Sequence, residues 1–132
     1  MTGVQTCALP ISNCASCHAY RGVGHALGPD LATFRTKPVS DFLLAILDPN
    51  AAIEPKFIAY HVDTQDDRAL TGLIVDETAT GFTLAQPNGV AEKLLRPAVK
   101  RLRPSPLSLM PEGLEAALPP PAMADLLAWL RE

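Results

Sequence analysis

Cys14-Ala15-Ser16-Cys17-His18 places two thiols and an imidazole within five consecutive positions. The spacing C-x-x-C-H reads as an attachment site for c-type haem. In that chemistry the thiols add across the two vinyl groups of a porphyrin, and the adjacent histidine holds the iron from one face. On a helix, positions 14 and 17 share a face and position 18 projects beside them, so three groups reach one flat cofactor. Other thiol chemistry fits less well. A thioredoxin-like pair needs a strand running into it within a βαβ unit, which the residues before Cys14 do not supply. A structural zinc site needs four ligands, usually as two pairs. No second C-x-x-C follows, and only Cys7, His25 and His61 remain as donors. An iron–sulfur cluster wants four thiolates, and the chain has three cysteines. A plain dithiol or disulfide is the last rival.

A second axial ligand is sought further along. Met110 sits in Leu-Ser-Leu-Met-Pro-Glu-Gly, where Pro111 and Gly113 mark a loop. A thioether is a soft ligand suited to the open face of haem iron, and Met110 is read as that ligand, with a core methionine packed under the loop as the alternative. Met123 falls in the last helical pattern and reads as core. Pro29 keeps its carbonyl while lacking an N–H. A backbone carbonyl there can accept from the non-ligating nitrogen of His18 and fix the ring's tautomer. His25 lies in a glycine-rich loop and reads as a surface residue. His61 sits in a strand-like run and reads as structural. Glu112 reads as a solvent-facing turn residue rather than a catalytic acid.

Three kinds of element must position these groups. A helix is expected over residues 13–20, with the thiols on it and Asn13 or Ser12 as cap. Another is expected over 39–48, capped by Ser40, with Phe42, Leu43, Ile46 and Leu47 as its apolar stripe and Pro49 closing it. Residues 57–95 change character to strands over 57–62, 69–75, 81–85 and 90–95. Asp66-Asp67 and Asn88-Gly89 serve as turns between them. Pro119-Pro120-Pro121 leads into a closing helix over 122–131, in which Met123, Leu126, Leu127 and Leu130 form a face beside Trp129. This helix is expected to cross the one that carries the thiols.

The chain has 132 residues, enough for one compact domain, and a net charge of −3. Arg96, Lys100, Arg101 and Arg103 form a local basic run that reads as a solvated edge, so nucleic-acid binding has no support. No segment is long and apolar enough to span a membrane. Residues 1–11, MTGVQTCALPI, lack the basic and apolar regions of a signal peptide. The string resembles a translated sequencing adapter, and residues 1–11 are expected to be a non-native or disordered segment that takes Cys7 out of the chemistry.

Taken together, the pattern resembles a class I cytochrome c-like domain, and more closely the haem-binding domain family named for Planctomycetes and Verrucomicrobia. The resemblance rests on Cys14 to His18, on Gly28-Pro29-Asp30-Leu31, on residues 42–49, on Thr71-Gly72-Leu73, on Met110-Pro111-Glu112-Gly113-Leu114 and on residues 125–130. It implies a mostly α fold with a small antiparallel β insertion at about 57–95, forming a single haem domain over 12–132. It implies one covalent haem c held by Cys14 and Cys17, with His18 and Met110 on the iron and Pro29 behind the histidine. Electron transfer follows as the expected function, with a redox partner protein or a fused dehydrogenase as its counterpart. The domain itself is then not catalytic. The alternative is a haem peroxidase or gas-binding domain with an exchangeable sixth site. Haem attachment to this motif takes place outside the bacterial cytoplasm, so an exported location is expected, with the export signal or upstream domain missing from the sequence.

Overall fold

The computed structural model describes residues 13–132; Cys7 and the expected non-native segment lie outside them. Residues 13–15 are helical and 16–17 form a turn, in which the Cys17 and His18 amides both donate to the Cys14 carbonyl at 3.1 and 2.8 Å. The expected helix to residue 20 does not continue. Ala19–Tyr20 (β1) instead pairs antiparallel with Val23–Gly24 (β2). Between them Arg21 and Gly22 take φ values of 50° and 80°, the two positive angles of a tight hairpin turn whose twist suits the flanking strands. This hairpin reverses the chain where a helix would have carried it onward.

Helix α1 spans Val39–Leu47 and buries Phe42. Its N-cap position is Pro38, with no side-chain cap, rather than the expected Ser40. Helix α2 spans Pro120–Leu130, begins on prolines and buries Met123, Leu126, Leu127 and Leu130. These two short helices close on Tyr20, Leu118 and the flanking Leu31, Phe34 and Trp129 to make one apolar cluster. Tyr20 and Trp129 stack at a tilt with ring centroids 4.8 Å apart, a favoured arrangement for aromatic pairs.

The rest of the chain is sheet. Strands Tyr60–Thr64 (β3), Ala69–Glu77 (β4), Gly81–Gln86 (β5), Val90–Leu95 (β6) and Val99–Pro104 (β7) form one antiparallel sheet in the order β6-β5-β4-β3-β7. Strands β6 and β7 are opposite edges, yet only the short turn Arg96–Ala98 joins them. So few residues reach little more than ~3.5 Å each, so the sheet must curl until its edges approach at that end. Inside the curl Val62 and Leu84 are fully buried, packed with Phe82 and Leu94. A third cluster of Leu27, Ala59 and Leu73 lies on the other sheet face and draws in Cys17, Phe57, Ala85 and Leu109.

The mostly α expectation is therefore corrected. The supposed small insertion is the larger architectural unit, a five-stranded sheet, and the fold is mixed α and β. Strand β7 was missing from the expectation because the basic run that forms it is exposed at five of six positions and shows no alternation. Two of its arginines find carboxylates nearby, since Arg96 in the preceding turn reaches Glu77 at 2.7 Å and Arg103 lies 3.8 Å from Asp63. Among the described residues no helix is long and apolar enough to cross a membrane.

Candidate functional site

The thiol turn, α1, α2 and the loop around Met110 enclose a cavity of about 110 Å³. Its walls are Leu31, Phe34, Phe42, Ile46, Leu126 and other apolar side chains, and the heteroatoms among them belong to Cys14, His18, Tyr20, Met110 and Trp129. A second cavity of about 180 Å³ shares Cys14, Ile46, Met110 and Leu126 with the first and extends along Leu114 to Leu118. The two form one cleft, mostly apolar, with a few polar atoms at fixed places. That is the usual composition of a small-molecule site.

His18 is the most tightly held of those polar groups. Its Nδ1 lies 2.7 Å from the Pro29 carbonyl oxygen. A carbonyl only accepts, so Nδ1 carries the proton and donates, and in the neutral ring Nε2 holds a free lone pair. The segment that supplies the carbonyl is pinned in turn, because the Leu27 and Gly28 amides donate to the Cys17 carbonyl at 2.9 and 2.6 Å. Gly28 lies flat against the imidazole: a Cβ there would stand 2.5 Å from the ring's Cε1 and 2.9 Å from Nδ1. Ring orientation and tautomer are thus set before any ligand arrives.

The two thiols part company. Cys14 lines both cavities. Cys17 lines neither; it packs against Leu27, Ala59 and Leu73 on the sheet side, and Ser16 Oγ sits 3.7 Å from its sulfur. Both are free thiols. Burial pushes the Cys14 thiol above its ordinary value, and the neighbouring Cys17 adds to the rise. A thiol that resists ionisation is a slow nucleophile. Alkylation of Cys14 by iodoacetamide, followed residue by residue by mass spectrometry, should therefore show a pH midpoint above that of an ordinary thiol. Cys17→Ser should move the midpoint part of the way back. An unshifted midpoint in the parent protein would contradict the buried placement. The linked effect on stability has the matching sign: the protonated thiol is favoured in the folded chain, so this contribution is present below the unfolded-state value and lost as pH rises through the folded one.

The remaining residues singled out by sequence are distributed as follows. Met110 lines both cavities with Cys14 and, in the first, with His18. Pro29 acts through its carbonyl. His25 is exposed and lies against the β5–β6 turn at Gly89. In β3, His61 meets the Thr71 hydroxyl at 2.9 Å. Glu112 accepts from the Asn50 amide at 2.8 Å. Sequence reasoning passed over Phe34 and Asn50. The first stands in a short 3-10 turn with no helical periodicity to mark it. Asn50 follows Pro49 as an ordinary turn residue, and only its fold partners give it a role.

This geometry overturns the haem reading. Attachment through C-x-x-C-H calls for both thiols on one ligand, and Cys17 faces the sheet cluster instead. Among the described residues no group of three or more His, Cys, Asp or Glu side chains is placed to hold a metal ion. The fold is not the mostly helical cytochrome c type that the resemblance implied. Covalent haem c, its iron and the electron-carrier function are corrected on these grounds, as is the alternative haem enzyme. The expectations of export and of a redox partner lose the argument that carried them. No family model matches the chain, and no curated protein matches it.

Proposed function

We propose that this domain is a binding module for a bulky, largely apolar ligand, seated in the cleft between the thiol turn, α1, α2 and the Met110 loop. The observation that carries the reading is the pairing of an apolar cavity with one imidazole whose Nδ1 is committed to Pro29 and whose Nε2 is not. An apolar wall supplies affinity by removing ligand surface from water, at about 25 cal/mol per Å². The single oriented acceptor supplies selectivity, because a ligand group that takes up the Nε2 lone pair gains what an isosteric hydrocarbon cannot. Cys14 and Met110 line the same space with polarisable sulfur, which adapts to aromatic surfaces.

Size limits the ligand. An engineered apolar cavity of about 150 Å³ holds benzene. The two adjoining cavities here, of about 110 and 180 Å³, suit a ligand of one to a few fused rings. Quenching of Trp129, the chain's single tryptophan and part of the cavity wall, reports occupancy. Titration with 1-naphthol and with naphthalene should show both binding, the naphthol about tenfold tighter, one hydrogen bond to an oriented acceptor being worth roughly 1 kcal/mol or somewhat more. His18→Phe should abolish the preference while leaving naphthalene binding in place. Equal affinities for the pair in the parent protein would refute the role given to Nε2, and binding of neither would refute the cleft.

A further inference from the structure

The geometry points to Asn50 as the positioning residue of this site, an amide that brackets the Met110 loop from both ends. The inference rests on the ligand-binding reading for its consequence, but not for its structural content. Asn50 follows the end of α1 and is half-buried. Its Oδ1 accepts from the Ser108 backbone N–H at 2.7 Å, and its Nδ2 donates to Glu112 Oε1 at 2.8 Å. Between those two anchors the Ser108 hydroxyl accepts from the Met110 N–H at 3.0 Å. One planar side chain, through two of these bonds, spans the segment 108–112, and the third ties Met110 at its centre to the Ser108 anchor.

The loop has opposed demands on its two apolar side chains. Leu109 packs with Leu27, Ala59 and Leu73 on the sheet side. Its neighbour Met110 turns into the cleft and joins Cys14, Ile46 and Leu126 in the wall common to both cavities. A methionine has three rotatable bonds and specifies little by itself. What fixes where its sulfur stands is the backbone, and the backbone here is held by Asn50 rather than by a helix or strand. The amide also ties that loop to the end of α1, whose Phe42, Ala45 and Ile46 line the same cavity. Wall and floor of the cleft are thereby set in one frame.

An amide is required because the two ends ask for opposite polarity, a donor toward Glu112 and an acceptor toward Ser108. This gives a test with a built-in rescue. Asn50→Asp keeps the acceptor, loses the donor and sets two carboxylates face to face. Adding Glu112→Gln restores complementarity with the roles exchanged, the new amide donating to the new carboxylate. The Met110 methyl resonance of the ligand-free protein reads the loop directly, and 1-naphthol affinity reads the consequence.

Asn50→Asp should shift the methyl resonance and weaken naphthol binding about tenfold. The double variant should return both to within about twofold of the parent. Glu112→Leu, which removes one anchor and adds no charge, should give an intermediate shift and serves where Asn50→Asp folds poorly. An unmoved methyl resonance in both single variants, or a double variant no better than Asn50→Asp, would overturn the assignment. If the resonance moves and recovers as described while even the parent protein binds no naphthol, Asn50 keeps its role and the ligand reading fails.

Discussion

Gly28→Ala should lower the unfolding free energy by about 2 kcal/mol and should cost almost nothing once His18 is also removed. The expectation follows from the crowding of one ring by one backbone position. A Cβ on residue 28 would stand 2.5 Å from His18 Cε1 and 3.1 Å from Nε2, far inside van der Waals contact. Neither side can give way freely. The Gly28 amide donates to the Cys17 carbonyl at 2.6 Å, so the backbone cannot retreat without breaking that bond. The ring cannot swing aside without breaking its Nδ1 bond to Pro29. Overpacking of this kind costs about 1–3 kcal/mol, and a lost hydrogen bond about 1 more. His18→Ala empties the space the new methyl would enter, so a thermal-denaturation cycle over the two sites should show a coupling near the full single-variant cost. Naphthol affinity should fall in Gly28→Ala as the ring turns from its set orientation. An additive cycle would show that the strain lies elsewhere.

Such residue-to-residue detail was only partly legible in the sequence. Helix α1 was readable because Phe42 and Ile46 recur at helical spacing and Pro49 ends the run. The β5–β6 hairpin was readable from Asn88-Gly89, and both residues take positive φ, 64° and 74°. Strand β7 was not readable. Beyond Val99 the side chains on both faces of β7 meet water, so no period of two marks the strand; it exists through its register with β3, where Arg103 lies opposite His61.

The thiol motif was legible as chemistry and misread as geometry. Helical spacing brings positions 14 and 17 to one face only while the helix lasts, and here it yields to a turn at 16–17. The β1–β2 hairpin then takes the chain back, its Gly24 neighbour His25 donating from the backbone N–H to the Ala15 carbonyl at 3.0 Å. The β5–β6 turn adds a further tie, with the Asn88 N–H donating to the Ser16 carbonyl at 2.8 Å. Contacts of such sequence separation leave no local signal. Cys17 accordingly belongs to the sheet cluster and Cys14 to the cleft, a division that the motif alone does not contain.

That division makes the sheet and the cleft parts of one mechanical unit, and Leu84→Ala is the substitution that measures it. Leu84 is fully buried at the centre of the curled sheet, remote in sequence from every residue of the cleft wall. Its truncation should cost about 3 kcal/mol, the transfer of its side chain plus the cavity left behind, and should lower Tm by about 10 °C. Leu95→Ala on β6, where the side chain is 62% exposed, should change stability by less than about 0.5 kcal/mol. The informative comparison is between two probes of the same melt. The β-sheet amide I band in the infrared follows the sheet, and Trp129 fluorescence follows the helical cluster around Tyr20. Leu27, Ala59 and Leu73 with Cys17 and Leu109 form the packing that joins them. If that joint transmits the loss, the two midpoints fall together in Leu84→Ala, as two-state unfolding requires. A sheet transition that moves alone, with Trp129 unaffected, would show that the cleft stands without the sheet, and the role of Cys17 as part of the joint would be wrong.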